Sequence, residues 1–345
     1  MTPDRVYLDH AATTPLLPAA REAWLHGAAI WANPSSPHAP GRAARAALEE
    51  ARTRIADALG WQGDVVLTSG ASESLALAIT RSKSALAAIS PVEHESVLRL
   101  AGEAERLPVD AGGQVDPAAC ARRGLVAVQQ VNSETGVVQP LGAIVDAVRS
   151  AGGVLLADCA QAAGKLPLPD ADLIALSAHK FGGPIGMGAL LVRDWALLSP
   201  LGGQERGYRP GTENLPGALA MVAALEAGAD WIPQATRLRA MLEQAIVGAG
   251  GEVVAAEAER TPTIGSYRMP GKSAAAQLIR FDAAGIAVSA GSACSSGSLR
   301  TSHVLQAMGY PHPSEVIRVS IGRETTQVEI ERFLETWRAI AGASA

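Results

Sequence analysis

The sequence predicts an α/β protein: a mostly parallel sheet covered by helices on both faces, followed by a smaller α+β domain. Three observations carry that prediction. Short, near-continuous apolar runs of strand length recur through the middle of the chain, helical patterns lie between several of them, and the rhythm changes after about residue 228. Strands that are apolar all round belong to sheets covered on both sides, and parallel neighbours need a crossover, usually a helix.

Taken in order, residues 41–59 come first: Ala44, Ala47, Leu48, Ala51, Ile55 and Leu59 recur on one helical face. Strands are expected over 65–68, 125–131, 154–158, 173–177 and 188–192, with helices over 72–80 and 141–151 between them. A long helix over 232–247 then leads into shorter mixed elements and a final amphipathic helix over 327–340. A boundary near residue 230 divides a large domain, 15–229, from a small one, 230–345, on which the N-terminal arm, 1–14, is expected to pack.

Composition narrows the function. A chain of 345 residues is long enough for about two domains of ~150 residues each. With 48% hydrophobic and 18% charged residues it is not a disordered chain. A formal net charge of −5 argues against a nucleic-acid partner, which requires a basic face. No apolar run approaches the ~20 residues of a membrane helix, and the first fifteen residues carry Asp4, Arg5 and Asp9 in place of a signal peptide's apolar centre. Cys120, Cys159 and Cys294 form no CxxC and cannot all pair, which favours a reducing compartment and a cytoplasmic protein. The seven histidines show no metal-binding spacing. Pro270-Gly271-Lys272-Ser273 imitates the end of a phosphate-binding loop, but Gly265 lies one residue too early to open it.

Chemistry concentrates where two expected strands end. Ligands of open parallel sheets sit outside the strands' carboxyl ends. Asp158 ends one strand, Ser177 ends the next, and His179 and Lys180 follow at once. A protected lysine can shed its proton and condense with an aldehyde, while a carboxylate can keep a pyridine nitrogen protonated. A solvated loop is the commoner fate of a lysine and a helix cap a common use of aspartate. Only three other lysines exist, Lys83, Lys165 and Lys272, and the conjunction on adjacent strand ends favours a cofactor. Thr68-Ser69-Gly70-Ala71-Ser72-Glu73 joins a strand to a helix and can cradle an anion. His94 can stack on a ring and shuttle protons, or simply cap a helix. Cys294 lies among glycines and serines that offer little to bury it, whereas Cys120 and Cys159 read as small buried hydrophobes. Arg318, inside a strand-like run, either faces water or clamps a carboxylate.

Together these motifs resemble the cysteine desulfurases of the class V aminotransferase group, fold-type I enzymes that use pyridoxal 5′-phosphate. The resemblance runs nearly end to end. It takes in Val6-Tyr7-Leu8-Asp9-His10-Ala11-Ala12-Thr13-Thr14-Pro15, Asn33-Pro34-Ser35-Ser36 with His38 and Gly41-Arg42, the stretch 68–73, Glu93-His94, the stretches 132–139, 158–165 and 177–180, then 202–212, 291–299 and 317–323. It implies that Lys180 carries the cofactor, Asp158 pairs with its ring nitrogen, Gln161 bonds the ring hydroxyl and His94 stacks on the ring and moves protons. It implies that Ala71, Ser72, Ser177 and His179 hold the phosphate, with Thr212 contributed across a homodimer. Arg318, Asn132 and Ser133 would bind L-cysteine. Cys294 would take up its sulfur as a persulfide, for delivery to an acceptor protein such as one in iron–sulfur cluster assembly. The family's Asn-Asn-Glu reads Asn132-Ser133-Glu134 here, and its glycine before His-Lys reads Ala178. A selenocysteine lyase, a small-substrate aminotransferase and a non-catalytic sulfur-trafficking partner are the alternatives.

Overall fold

A computed structural model describes residues 5–30, 32–291 and 301–342. The chain opens with strand β1 (Val6–Tyr7), then helices α1 (Pro18–Ala29) and α2 (Ala39–Leu59). An alternating stretch follows: β2 (Asp64–Thr68), α3 (Ala71–Arg81), β3 (Leu86–Ile89), α4 (Glu95–Leu98), β4 (Glu105–Arg106), β5 (Leu125–Gln129), α5 (Leu141–Ser150), β6 (Val154–Asp158), β7 (Leu173–Ser177) and β8 (Gly188–Val192). The remainder is α6 (Leu215–Glu226), α7 (Ile232–Gly248), β9 (Glu252–Val253), β10 (Ile264–Arg268), α8 (Ala274–Ala283), β11 (Ile286–Ala287), α9 (His303–Ala307), β12 (Val316–Ser320) and α10 (Gln327–Ala341).

Local chemistry sets the helix ends. The His38 side chain accepts from Gly41 N, Pro40 sits in the first turn of α2, and Gly60 ends it in the left-handed region at φ 63°. A capping box joins Thr326 and Glu329 at the start of α10. Gly41, Ala44, Leu48, Ala51 and Ile55 make one buried stripe along α2. Small residues there let the helix lie close to α6.

The main sheet has seven strands in the order β2-β8-β7-β6-β5-β3-β4. β3, β4, β5, β6 and β7 pair in parallel, while β8 runs antiparallel to both β2 and β7. Every residue of β5, β7 and β8 is buried, as strands covered on both faces require. On one side of the sheet Val65, Leu67, Val126 and Leu155 pack with α2, α5 and α6; on the other, Val66, Leu125 and Leu156 pack with α3.

A second sheet, β12-β10-β9, is antiparallel. It shares a separate core with α7, α8 and α10, in which Phe281 stacks on Phe333 and Trp337 packs against Phe333 at a tilt. β1 pairs in parallel with β11, and Val6 and Leu8 join that core. Among the described residues no helix is long and apolar enough to cross a membrane.

Candidate active site

β2, β3, β5, β6 and β7 run in one direction, so their carboxyl ends share one rim. There the structure opens a crevice of about 1080 Å3, bounded by residues of these strand ends, of the N-terminal arm and of β12.

Asp158, the last residue of β6, lies buried at this rim, and its Oδ1 accepts from Ala160 N at 2.9 Å. Burial pushes its carboxyl above the usual range, while the Ala160 N–H, His94 and Lys180 draw it back. β7 ends at Ser177 and the chain coils through one 3-10 turn, Ala178–Lys180. This turn brings the Lys180 amine back over the rim. Its Nζ donates to the carbonyls of Ala11 (2.6 Å) and Ala12 (2.9 Å). Desolvation, helped by the Arg318 charge, lowers the amine to about 8 against the opposing pull of Asp158 and Asp9. The His179 ring meets Thr13 Oγ1 at 3.1 Å, and burial beside Lys180 and Lys165 lowers its pKa to about 4, so it is neutral near pH 7.

The β2–α3 turn builds the opposite wall. Thr68 Oγ1 and Ser74 Oγ bond at 2.8 Å, tying strand to helix. Gly70 has φ 146°, a conformation natural only to glycine. Behind it, a Cβ on Gly188 would lie 2.5 Å from Gly70 Cα and 2.5 Å from Leu176 O. Two glycines back to back therefore let this turn press against β8.

Arg318 reaches the crevice from β12. Its Nη1 donates to Ser133 O at 2.9 Å and its Nη2 to Asp9 Oδ1 at 2.8 Å, while Nε is buried with no partner among the described residues. The structure thus brings Asp158, Gln161, Ser177, His179, Lys180, Ala71, Ser72, His94, Ser133 and Arg318 to one cavity.

Other expected residues stand apart. Asn132 does not turn its amide to the crevice. Its Oδ1 accepts from Glu134 N, Thr135 N and Thr135 Oγ1 and its Nδ2 donates to Val92 O, so it closes a turn instead of meeting a ligand. Thr212 is exposed, outside the crevice of its own chain. Cys294 lies outside the described residues. His94 combines both readings: it caps α4, accepting from Ser96 N, while its ring borders the crevice. Desolvation lowers its pKa, with Asp158 opposing and Lys180 adding to the effect. Ser72 and Ser96 hydroxyls bond at 2.7 Å, and Ser96 Oγ lies 2.9 Å from His94 Nδ1, so one short chain links the helix start to the imidazole.

Sequence reasoning missed three participants. The Ala11 and Ala12 carbonyls carry no side-chain signal at all. Asp9 lies inside a recognised motif, but nothing local pairs it with Arg318, 309 positions away.

Two observations bear on the expected pyridoxal group. Gln161 donates through Nε2 to Ala11 O (2.9 Å) but leaves Oε1 buried and unpartnered, which a ring hydroxyl would satisfy. Among the described residues no side chain caps the first turn of α3, and Ser72, Ser177 and His179 border the same crevice; a phosphate would complete that turn. The residues present fit the group.

Comparison with known proteins follows the same lines. The family model described as Aminotransferase class-V matches residues 6–333. A cysteine desulfurase of Cereibacter sphaeroides is 38% identical, with 96% of this chain and 94% of that protein covered. The solved structure of a NifS-like protein from Rickettsia africae superposes with a TM-score of 0.89 at 28% identity, covering 98% of this chain and 100% of that one. A structure described as SspA in complex with cysteine gives 0.79 at 28% identity, covering 93% of this chain and 100% of that one.

Proposed function

The chain belongs to the class-V aminotransferase family, and from that premise we propose that it is a cysteine desulfurase. It converts L-cysteine to L-alanine and passes the sulfur to Cys294 as a persulfide. The observation that carries this reading is the convergence of the Lys180 amine, the Asp158 carboxylate and the Arg318 guanidinium on one crevice.

Pyridoxal 5′-phosphate is the cofactor this reading requires; when bound, it supplies an aldehyde for an amine and a protonated ring that accepts an electron pair. Lys180 is the attachment point and, once released, the base at the substrate's α-carbon. Its amine at about 8 is neutral often enough near neutral pH for both tasks. Asp158 keeps a proton on the ring nitrogen, Gln161 and His94 orient the ring, and Ala71, Ser72, Ser177 and His179 receive the phosphate. Arg318 binds the substrate carboxylate beside Ser133, and His94 moves the proton of the substrate thiol.

Elimination selects the sulfur acceptor. Cys120 and Cys159 are buried. Burial raises the Cys120 thiol to about 11 and Cys159 well above its usual value. Neither supplies a thiolate, which leaves Cys294 of the chain's three cysteines. Its thiolate takes the substrate sulfur: the substrate carbon–sulfur bond breaks, a sulfur–sulfur bond forms, and a proton completes alanine. A second subunit completes the site in this reading, with the exposed Thr212 reaching its neighbour's phosphate. Free thiols agree with a cytoplasmic setting, where an acceptor protein collects the sulfur.

Steady-state alanine production from L-cysteine with a thiol reductant tests the reading. Lys180→Ala should abolish it, together with the visible absorbance that borohydride fixes onto Lys180. A Lys180→Ala protein that keeps that absorbance and forms alanine would refute the assignment.

A further inference from the structure

Arg318 is held before any substrate arrives. Its side chain is 9% exposed, its backbone is locked to Ser289 in both directions, and Ser133 O and Asp9 Oδ1 each take one of its N–H groups. Among the described residues three N–H groups remain, one on each nitrogen, and the Nε group is buried without a partner. Asp9 is itself fixed. It bridges Ser320 of β12, two residues beyond Arg318, and its carbonyl accepts from Ala12 N and from the Tyr7 hydroxyl. Ser320 Oγ, in turn, accepts from Ala11 N at 2.9 Å. The arm that carries Asp9 is thus laced to the strand that carries Arg318, and the same arm's Ala11 and Ala12 carbonyls hold Lys180.

We infer that Asp9 is a positioning residue for substrate binding: its carboxylate fixes the Arg318 guanidinium so that the N–H groups left on Nη1 and Nη2 meet the carboxylate of an α-amino acid. A guanidinium is a planar fork whose value lies in paired, correctly oriented hydrogen bonds. With one side chain and one carbonyl as restraints, loss of the side chain leaves the plane free to turn about a single contact. Asp9 also supplies negative charge where Lys180 and Arg318 face each other. The other charged or titratable groups around Lys180 are Asp158, His94, His179 and Lys165. This inference rests on the proposed reaction for the identity of the substrate.

The test compares the wild-type holoenzyme with Asp9→Ala and Asp9→Asn. KM and kcat are measured for L-cysteine, and L-alanine affinity by calorimetry. Asp9→Ala should raise KM and weaken L-alanine binding about ten-fold, as loss of a charge-assisted restraint implies, with kcat within about three-fold. Asp9→Asn keeps an acceptor oxygen and should recover part of both losses. It should also lower the pH midpoint of the Lys180-linked absorbance, because a negative charge has gone. An Asp9→Ala protein with wild-type KM and L-alanine affinity overturns the inference, as does a loss confined to kcat. If Asp9→Ala fails to fold, Asp9→Asn decides alone: an unmoved absorbance midpoint with unchanged L-alanine affinity overturns it. A wild-type enzyme that makes no alanine refutes the proposed reaction instead, and L-alanine calorimetry still reads the role of Asp9.

Discussion

The amine of Lys180 and the carbonyl of Ala11 are joined at 2.6 Å across 169 positions of sequence. The Gln161 amide donates to the same carbonyl at 2.9 Å. One backbone oxygen of the N-terminal arm therefore aligns two side chains from adjacent strand ends. The arm is a wall of the crevice, and it presents Asp9 to Arg318 from the same side.

The Lys180 amine governs the uptake of cofactor. An amine is nucleophilic only when neutral, and this one loses its proton near 8 instead of at its ordinary value. Reloading of apoenzyme with pyridoxal 5′-phosphate, followed by visible absorbance, should accelerate as pH rises and level off above about 8. Arg318→Leu removes the cation that helps depress the amine, so its profile should move to higher pH. Superimposable profiles would show that Arg318 exerts no charge effect there.

The thiols should differ in reactivity. A disulfide reagent should titrate one cysteine in the native protein and three after denaturation, since Cys120 and Cys159 are buried. Cys294→Ala should leave none in the native state. A second rapidly titrated thiol would contradict the elimination that selects Cys294.

Gly188→Ala tests the close approach of the β2–α3 turn to β8. The added methyl meets two backbone atoms at 2.5 Å, and neither can swing aside as a side chain would. The turn should shift outward, with about ten-fold weaker cofactor retention and ~1–3 kcal/mol lower stability. Equilibrium dialysis and urea unfolding measure these, and unchanged values would mean that the turn yields at no cost.

His10 should make the protein sensitive to acid. Burial, aided by Lys165, lowers its pKa to about 4 in the folded state, against ~6.5 unfolded. Between those values the unfolded chain binds a proton that the native ring refuses. Stability is thus complete above pH ~6.5 and falls as the pH drops toward 4, by up to about 3 kcal/mol for this group. Urea midpoints at pH 7 and pH 4.5 should differ less in His10→Asn than in wild type. Equal differences would remove His10 as a cause.

The strands 154–158, 173–177 and 188–192 were legible because each is a short apolar run ended by a change of residue type, and the structure forms them with those bounds. The direction of β8 was not legible: an apolar run carries no arrow, and only pairing with β2 and β7 reveals that it is antiparallel. The strand expected over 125–131 ends at Gln129, because Val131 leaves the sheet to bridge Val138. Within the site, Asp158 and Lys180 could be read because their side chains follow strand ends. The Ala11 carbonyl could not, since backbone oxygens look alike in any sequence. Asn132 misled because the same amide that can hold a ligand can also close its own turn.

Transfer of sulfur to Cys294 is read most directly by mass spectrometry of holoenzyme mixed with L-cysteine and no reductant. The peptide containing Cys294 should gain one sulfur atom, with L-alanine released in equal amount. Turnover of L-cysteine that leaves Cys294 unmodified, or that yields pyruvate in place of alanine, would contradict it.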